Sequence, residues 1–520
     1  MEGMSSNRGP RARRFVALVA LFAVLAAAAL IRARLLDVPL ERDEGEFAYT
    51  AQLIMDGVPP YGELYTMKLP GTALAYAAAI SLFGETARAI HLGLLIVSAL
   101  STVLLFLLAR RLMGDLPALL SSAIFALLSL SPQVLGMHAH ATHFVVLFAL
   151  AGLLLVASAV DFGGWWKPLV AGFLLGVGFL MKQNGIFFVL FALAFLAWSL
   201  SRKRPIQGGR LAGECALLLA GAALPFAVAC LWLWRAGVFE PFWFWTFTYA
   251  RLYAAGPGEV GIGTFASRGL PLLAAAALLV FLFLKLNCRK SAAKAFFVLG
   301  FLLFSIASIL PGLNFRKHYF VLILPAASLA IGALAEAIDE RIRDGGISAR
   351  LKHLAPLFVV AGLGILLFLE RGYLFLATPS EASRMVYGAN PFAEAEGVAA
   401  RIDALTEPGD KIAILGSEPE ILFYAKRRSA TGYIYMYELM ERHPFAERMQ
   451  RQMIEEIERA RPAVIVEVGV EPSWSPRFGS PRIVFDWFEK AAGGYELVDA
   501  TAVANAPEQF VKLFVRGKTL

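Results

Sequence analysis

The sequence has few cysteines and few of the motifs that identify soluble enzymes. Its three cysteines, Cys215, Cys230 and Cys288, lie in or beside apolar runs, which excludes a disulfide framework and a Cys-x-x-Cys metal site. It has no basic patch interleaved with aromatic residues, the pattern expected of a nucleic-acid-binding protein. A single glycine turn after Leu415 is too short to indicate a nucleotide site. The first apolar run has no small-residue cleavage site, and we interpret it as a retained membrane anchor.

Apolar residues dominate instead, and they set the class of the protein. They make up 58% of the 520 residues, whereas charged residues make up 17%, which excludes an ordinary soluble protein. Repeated apolar runs of membrane-spanning length predict a polytopic membrane protein. The eleven predicted spans cover approximately residues 15–31, 86–108, 116–132, 143–160, 168–181, 185–200, 211–234, 268–286, 294–311, 320–338 and 354–373.

The distribution of basic residues predicts the orientation. Short basic segments, such as Arg202-Lys203-Arg204 and Arg289-Lys290, fall on one side of these spans, and the acidic first loop, residues 32–85, falls on the other. By the positive-inside rule the N-terminus is cytoplasmic and the acidic loop is outside. We therefore expect the inner (plasma) membrane of a bacterial cell envelope.

The composition changes from about residue 377. Buried strands are predicted at 411–416 and 462–468, helices at 418–426 and 443–460, and a last edge strand at 511–515. Strands that alternate with helices predict a small α/β domain. The predicted fold class is therefore mainly α, with about eleven transmembrane helices in residues 1–376 and a small extracytoplasmic α/β domain in residues 377–520.

The acidic loop contains Asp43, Glu44 and Glu46 directly after the first span. Asp43 and Glu46 have the spacing of a capping box, which predicts a short helix with Asp43 as its N-cap. Asp43 is either a cap alone or also a general base. Glu44 and Glu46 are interpreted either as solvated residues or as residues favoured by the helix dipole, rather than as catalysts. Lys68, in the same loop, either binds an anion or extends its ammonium group to the interface.

Other polar and aromatic residues near the outer surface are candidates for structural or functional roles. His138, His140 and His143 have the composition of a metal site, but no carboxylate lies near them in the sequence, which favours hydrogen-bonded structural groups. Arg316 lies outside against the positive-inside tendency, which favours a function. The aromatic residues of 242–249 are interpreted as an interfacial belt.

Taken in order, these segments resemble the GT-C glycosyltransferases, in particular the protein mannosyltransferase and aminoarabinose transferase family, which uses polyprenyl-phosphate sugars. The resemblance covers nearly the whole chain. It implies a GT-C fold and a membrane glycosyltransferase that moves a hexose or pentose from the lipid phosphate to an extracytoplasmic acceptor hydroxyl with inversion. The matching pieces are Asp43-Glu44 and the helix after them, Lys68 before Pro70, Phe83-Gly84 leading to Arg88, Arg316 with His318-Tyr319 and Pro325, and Gly416-Ser-Glu-Pro-Glu-Ile-Leu-Phe-Tyr424.

The resemblance also implies roles for individual residues. Asp43 corresponds to the catalytic carboxylate, with Glu44 as the neighbouring candidate. The donor phosphate is assigned to Lys68, Arg316, His318 and Tyr319, and further substrate contacts are expected at Arg42, Tyr65, His140 and His143. Many members carry a second acidic residue in the outer loop after the third span. Residues 136–143 contain none here, so neither that carboxylate nor the family's sugar specificity transfers to this chain.

A transporter or flippase for lipid-linked or anionic substrates is the alternative function. Such a protein should carry ionisable or helix-breaking residues near the middle of its spans, often in paired repeats. The charges cluster instead at one membrane face, which favours the enzyme. A catalytically inactive partner in a glycan-assembling complex also remains open. The expected partners are a polyprenyl-phosphate sugar, a lipid, glycan or protein acceptor, and the bilayer, with no nucleic acid. No cofactor is predicted, and a divalent metal stays open as an alternative.

Overall fold

The computed structural model describes residues 10–203, 205, 208–255, 265–287, 291–345 and 354–517. Cys288 and three basic residues used to predict the orientation, Arg204, Arg289 and Lys290, lie outside the described residues. The α-helices are Pro10–Arg34 (α1), Arg42–Met55 (α2), Gly71–Phe83 (α3), Ala87–Met113 (α4), Asp115–Leu128 (α5), Ala141–Phe162 (α6), Trp166–Met181 (α7), Ile186–Ser201 (α8), Gly208–Arg235 (α9), Phe239–Trp243 (α10), Ala250–Ala255 (α11), Leu270–Asn287 (α12), Ala292–Ala307 (α13), Leu324–Arg343 (α14), Leu354–Leu369 (α15), Pro379–Tyr387 (α16), Phe392–Leu405 (α17), Pro419–Ala425 (α18), Tyr437–Met440 (α19), Ala446–Ala460 (α20), Glu471–Trp474 (α21) and Ile483–Ala491 (α22). The strands are Lys411–Leu415 (β1), Arg428–Ser429 (β2), Val464–Gly469 (β3), Tyr495–Val503 (β4) and Ala506–Arg516 (β5).

A helix occupies each position at which the sequence predicts a span. The protein is a multi-pass membrane protein, although the count of eleven spans stays a prediction. The acidic loop contains one apolar helix, α3, that the sequence analysis did not predict. Within the described residues, six helical segments are long and apolar enough to cross a membrane: Arg14–Arg34, Ala87–Met113, Ala141–Phe162, Gln183–Ser201, Gly208–Arg235 and Ser267–Lys285.

The chain divides into two compact units, each built from three separate segments. The first unit comprises the residues up to Arg34, Leu94–Val228 and Pro257–Leu376. The second comprises Leu35–Gly93, Ala229–Gly256 and Ala377–Leu520. The acidic loop and the C-terminal segment therefore belong to the same unit. The predicted domains, residues 1–376 and 377–520, stay a prediction.

In the first unit, glycines let α7 and α9 approach closely. A Cβ atom on Gly172 would meet the carbonyl oxygen of Leu218, and one on Gly176 would meet that of Ala222. Gly221 lies in the same way against the backbone of α7. Because lipid offers no hydrophobic drive between apolar helices, close packing of small residues is a principal source of their association.

The second unit contains a five-stranded sheet with the order β2-β1-β3-β5-β4. β1 pairs in parallel with β2 and β3, whereas β5 is antiparallel to both β3 and β4. The predicted strands at 411–416 and 462–468 and the helices at 418–426 and 443–460 are confirmed to within three residues. The strand predicted at 511–515 exists as part of β5, but its prediction as an edge strand is wrong because β4 covers its outer side.

The core of the second unit includes part of the aromatic segment 242–249. Trp245 is 4% exposed and Tyr249 is fully buried, and both pack with residues of β1 and α20. The interpretation of this segment as an interfacial belt is therefore wrong for these two residues, while Trp243 remains 46% exposed. Burial of the two rings anchors this segment in the unit that carries the acidic loop.

Candidate functional site

Helix α2 begins two residues earlier than the sequence predicts. Its N-cap is Glu41, whose Oε1 accepts a hydrogen bond of 2.9 Å from the backbone N–H of Glu44. The Glu44 carboxylate accepts a reciprocal bond of 3.3 Å from the N–H of Glu41, which completes a capping box. The prediction of Asp43 as the N-cap is therefore wrong. Asp43 lies in the first helical turn, and its carboxylate is engaged elsewhere.

The Asp43 carboxylate pairs with Lys68. The Lys68 ammonium lies 2.6 Å from Asp43 Oδ1 and 2.6 Å from Glu46 Oε2, so one cation bridges two carboxylates. The side chains of Lys68 and Asp43 are 25% and 26% exposed, whereas that of Glu46 is 5% exposed. The interpretation of Glu46 as a solvated residue is wrong. Asp43 and Glu46 share a face of α2 because they are three residues apart.

The rings and hydroxyls around this ion cluster hold Lys68 in place. The ammonium lies 4.6 Å from the centre of the Phe47 ring and 5.1 Å from that of Tyr435, both within cation–π range. The Tyr61 hydroxyl donates a hydrogen bond of 2.7 Å to the backbone carbonyl of Lys68. Thr66 donates to the second oxygen of Glu46 and accepts a bond from the Lys68 backbone N–H.

Burial and charge act in opposite directions on the members of this cluster. Burial lowers the pKa of Lys68, but the carboxylates of Asp43 and Glu46 outweigh it and raise that pKa above its ordinary value. Burial raises the pKa of Glu46 above its ordinary value, although Lys68 acts in the opposite direction. Lys68 is thus a firmly protonated cation at neutral pH, which suits the binding of an anion.

The candidate catalytic residue Glu44 is fully buried on α2. Its Oε1 is 3.0 Å from His91 Nε2, and its Oε2 accepts the capping bond from Glu41. The other ring nitrogen of His91 lies 2.9 Å from the carbonyl oxygen of Leu36. Both oxygens of Glu44 are therefore used to fix the start of α2.

Arg42 and Tyr65, the predicted substrate contacts of the acidic loop, are engaged with the C-terminal segment. The Arg42 guanidinium pairs with Glu418 at 2.5 Å and donates to the Tyr437 hydroxyl at 3.0 Å. Tyr65 stacks on Trp245 with ring centres 5.5 Å apart, and its hydroxyl donates to Glu456 at 2.7 Å. These contacts tie the acidic loop to the rest of the second unit.

The first unit brings together several of the other predicted site residues. His140 and His318 stack with ring centres 4.3 Å apart and planes 15° apart. Tyr319 meets the His318 ring edge-on at 4.7 Å, and the Lys182 ammonium lies 4.6 Å from the centre of the Tyr319 ring. Arg316, which is partly buried, directly precedes the 3₁₀ turn Lys317–Leu322.

The remaining histidines of the first unit are buried, and the turn after Arg316 has basic neighbours. His138 is fully buried and His143 is 4% exposed, so both side chains lie inside the first unit. Arg268 donates a hydrogen bond of 3.3 Å to the carbonyl of Phe315. Burial lowers the pKa of Lys317, and Arg268 acts in the same direction. The turn around Arg316 is therefore a cationic part of the surface.

Sequence reasoning missed three residues at these positions. Glu46 was available from its three-residue spacing to Asp43, which the capping-box interpretation obscured. Tyr435 is 392 residues from Asp43 in the chain, yet its hydroxyl donates a bond of 2.9 Å to Asp43 Oδ1. Its signal is the alternation of tyrosine with apolar residues from Tyr433 to Tyr437. Lys182 directly follows a predicted span, where a lysine at the membrane interface is ordinary, so its position gave no signal of a function.

The chain is similar to one protein family and to several solved structures. A sequence model of the dolichyl-phosphate-mannose-protein mannosyltransferase family matches residues 68–234. No curated protein sequence matches the chain. ArnT from Cupriavidus metallidurans bound to undecaprenyl phosphate superposes with a TM-score of 0.59 at 15% identity, over 95% of this chain and 97% of that one.

Two further solved structures share the fold. The archaeal oligosaccharyltransferase AglB from Archaeoglobus fulgidus, in complex with an inhibitory peptide and a dolichol-phosphate, has a TM-score of 0.53 at 14% identity over 96% of this chain and 74% of that one. The arabinofuranosyltransferase AftD from Mycobacteria has a TM-score of 0.52 at 14% identity over 96% of this chain and 40% of that one. The family match is confined to residues 68–234, whereas the structural similarity extends over nearly the whole chain, and together they lead to one conclusion: the chain has the GT-C fold of these membrane glycosyltransferases.

Proposed function

We propose that the protein transfers a sugar from a polyprenyl-phosphate donor to a hydroxyl group of an extracytoplasmic acceptor, with inversion at the anomeric carbon. The observation that carries the proposal is the pairing of Asp43 with Lys68 at 2.6 Å on the acidic loop. The pair brings a carboxylate and a cation together where both are a quarter exposed. Undecaprenyl phosphate bound to ArnT and dolichol-phosphate bound to AglB support the donor class.

The donor side of the reaction needs cations more than an acid. A polyprenyl phosphate leaves with the electron pair of its bond to the anomeric carbon, and the new negative charge spreads over the phosphate oxygens. Lys68 is suited to stabilise that charge because it stays protonated. Arg316, His318 and Tyr319 are proposed to contact the same phosphate.

The acceptor side needs a base. In our proposal the acceptor hydroxyl gives its proton to Asp43 while its oxygen forms the new bond to the anomeric carbon, opposite the leaving phosphate. A single displacement of this kind inverts the configuration. Glu44 is proposed to position α2, because both of its oxygens are used by the capping box and His91. The substrate contacts predicted at His140, His143, Arg42 and Tyr65 stay proposals. The buried pairing of Arg42 with Glu418 supports a structural role for Arg42.

The purified protein in lipid nanodiscs, supplied with polyprenyl-phosphate sugars and a panel of lipid, glycan and peptide acceptors, tests the proposal. We expect release of polyprenyl phosphate, a product heavier by one sugar in mass spectrometry, and an inverted anomeric signal in NMR. Mass spectrometry of lipids, glycans and proteins from cells with and without the gene would supply the acceptors. Movement of intact donor across vesicle membranes without cleavage would contradict the proposal and favour the transporter.

A further inference from the structure

Tyr435 lies on a firmly anchored stretch of the C-terminal segment. On one side of it, Thr431 and the N–H of Gly432 donate bonds of 2.6 and 3.0 Å to Glu456. On the other side, the N–H of Met436 donates a bond of 2.8 Å to the Ser417 hydroxyl. The anchored backbone leaves the Tyr435 side chain little freedom to move away from its partner on α2.

Its partner is the candidate base. The Tyr435 hydroxyl donates a bond of 2.9 Å to Asp43 Oδ1, the same oxygen that lies 2.6 Å from the Lys68 ammonium. The neighbouring tyrosines have different partners. The Tyr433 hydroxyl donates to Gln452 at 3.1 Å, and the Tyr437 hydroxyl donates to the carbonyl of Pro472 at 2.8 Å. Within the described residues, the hydrogen bond to Asp43 thus distinguishes Tyr435 from the other two tyrosines of this stretch.

The two donors on Oδ1 should behave differently when a lipid phosphate binds. Lys68 is the residue assigned to the phosphate, and an ammonium group that turns towards a dianionic or monoanionic phosphate gives up part of its contact with Asp43. Tyr435 carries no charge that a phosphate would attract. Burial, followed by the carboxylate of Asp43, raises the pKa of Tyr435 well above its ordinary value, so the hydroxyl keeps its proton and remains a donor.

We propose that Tyr435 is a positioning residue for the transfer reaction, and that its hydroxyl holds Asp43 Oδ1 in place when Lys68 moves to the donor phosphate. The inference rests on the proposed function of Asp43 as the base. The C-terminal segment would then contribute directly to the geometry of the reaction on the acidic loop. A hydrogen bond donated to a carboxylate favours its ionised form, which is the form that accepts a proton.

Replacement of the hydroxyl tests the inference. Tyr435→Phe keeps the ring that faces Lys68 and removes only the donor, whereas Tyr433→Phe is the matched control on the same stretch. We expect kcat of Tyr435→Phe to fall about 10-fold, on the scale of one lost hydrogen bond to a charged group. The KM for the donor should stay within about twofold, because the Tyr435 hydroxyl contacts Asp43 and not the donor. The acidic limb of the kcat profile should move to higher pH, since the carboxylate loses a stabilising donor.

Two further measurements separate the possible outcomes. Tyr435→Phe should add nothing to the loss already caused by Asp43→Asn, because both changes affect one interaction. Site-specific 3-fluorotyrosine at position 435, a stronger donor that keeps the fold, should move the acidic limb to lower pH. Unchanged kcat and pH profile in Tyr435→Phe and in the fluorotyrosine protein, together with an inactive Asp43→Asn, would overturn this inference alone. An active Asp43→Asn would instead overturn the proposed function.

Discussion

At the scale of single residues, the second unit buries an unusual concentration of carboxyl groups around α2. Glu41, Glu44 and Glu46 are each at most 5% exposed, and Glu418 and Glu420 are fully buried on and beside α18. Burying a charge costs several kcal/mol unless a partner is supplied. Arg42, His91 and Lys68 supply such partners. A dense charged network of this kind makes the unit sensitive to pH and to the loss of any one member.

Glu420 provides the pH test of this network. Burial, and then repulsion from the Glu418 carboxylate, raise its pKa well above the ordinary value. A carboxyl group whose pKa is raised by folding stabilises the protein at low pH, and this contribution is lost as pH rises through the folded pKa. Each pH unit between the two pKa values changes the free energy of unfolding by about 1.4 kcal/mol. Thermal unfolding should therefore show that Glu420→Gln gains stability relative to the unsubstituted protein as pH rises above 4.5. An equal pH dependence in both proteins would contradict this.

The sequence analysis named site residues only where the evidence is local. It named Asp43 and Lys68, which are 25 residues apart in one loop, but it did not predict that they pair. The prediction of where α2 begins was wrong because the same stretch fits two capping boxes, Glu41 with Glu44 and Asp43 with Glu46. Tyr435 was missed because its contact depends on the folded C-terminal segment, and no periodicity in the sequence encodes a pairing across that distance.

At the scale of elements, the packing of α2 on α18 decides where Asp43 points. Gly45 lies on α2 against the backbone of Glu420, so that a Cβ atom there would overlap the Glu420 nitrogen. Tyr49 lies further along α2, and its hydroxyl accepts a hydrogen bond of 2.8 Å from the backbone N–H of Ser429 in β2. The helix is therefore seated on the C-terminal segment at two points, and a shift of α2 would move Asp43 and Glu46 relative to Lys68, which lies outside the helix.

A bulky residue at position 45 tests this seating. Gly45→Leu should lower the melting temperature and reduce turnover, because overpacking a tight contact costs about 1–3 kcal/mol and moves the helix. Gly397→Leu is the matched control, since Gly397 lies inside helix α17 with open space around it. There the substitution should be neutral or stabilising, by up to about 1 kcal/mol, because glycine is a poor helix former. Similar melting temperatures for the two variants would contradict the close packing of α2 on α18.

At the scale of the whole molecule, the assignment of the acidic loop and the C-terminal segment to one compact unit restricts the topology. We therefore predict that both segments lie on the same side of the membrane. Helices occupy all the predicted span positions, and the basic segments are predicted on the opposite side. By the positive-inside rule, the side of the acidic loop is therefore predicted to be extracytoplasmic. The sequence could predict these features because hydropathy and charge bias act on each span separately. It could not predict that residues 229–256 join the same unit, because that depends on buried aromatic packing.

Cysteine labelling tests this topology. In a protein without Cys215, Cys230 and Cys288, single cysteines replace the exposed residues Glu63 and Glu489 of the second unit and Lys203 as the opposite-side control. A membrane-impermeant maleimide should label positions 63 and 489 in intact spheroplasts, and position 203 only after permeabilisation. Labelling of positions 63 and 489 from opposite sides would contradict the single unit. Labelling of position 203 alone from outside would show that the orientation is the reverse of the predicted one.

The central claim is that Asp43 acts in chemistry while Lys68 acts in donor binding. Its most direct test measures donor binding and single-turnover transfer side by side in purified Asp43→Asn and Lys68→Gln. We expect Asp43→Asn to fold, to bind the polyprenyl-phosphate donor and to slow transfer by roughly 10²–10⁴, since asparagine accepts a hydrogen bond but no proton. We expect Lys68→Gln to weaken the stabilisation of the donor phosphate by about 2–4 kcal/mol. Transfer by Asp43→Asn at the rate of the unsubstituted protein would contradict the assignment of Asp43 as the base.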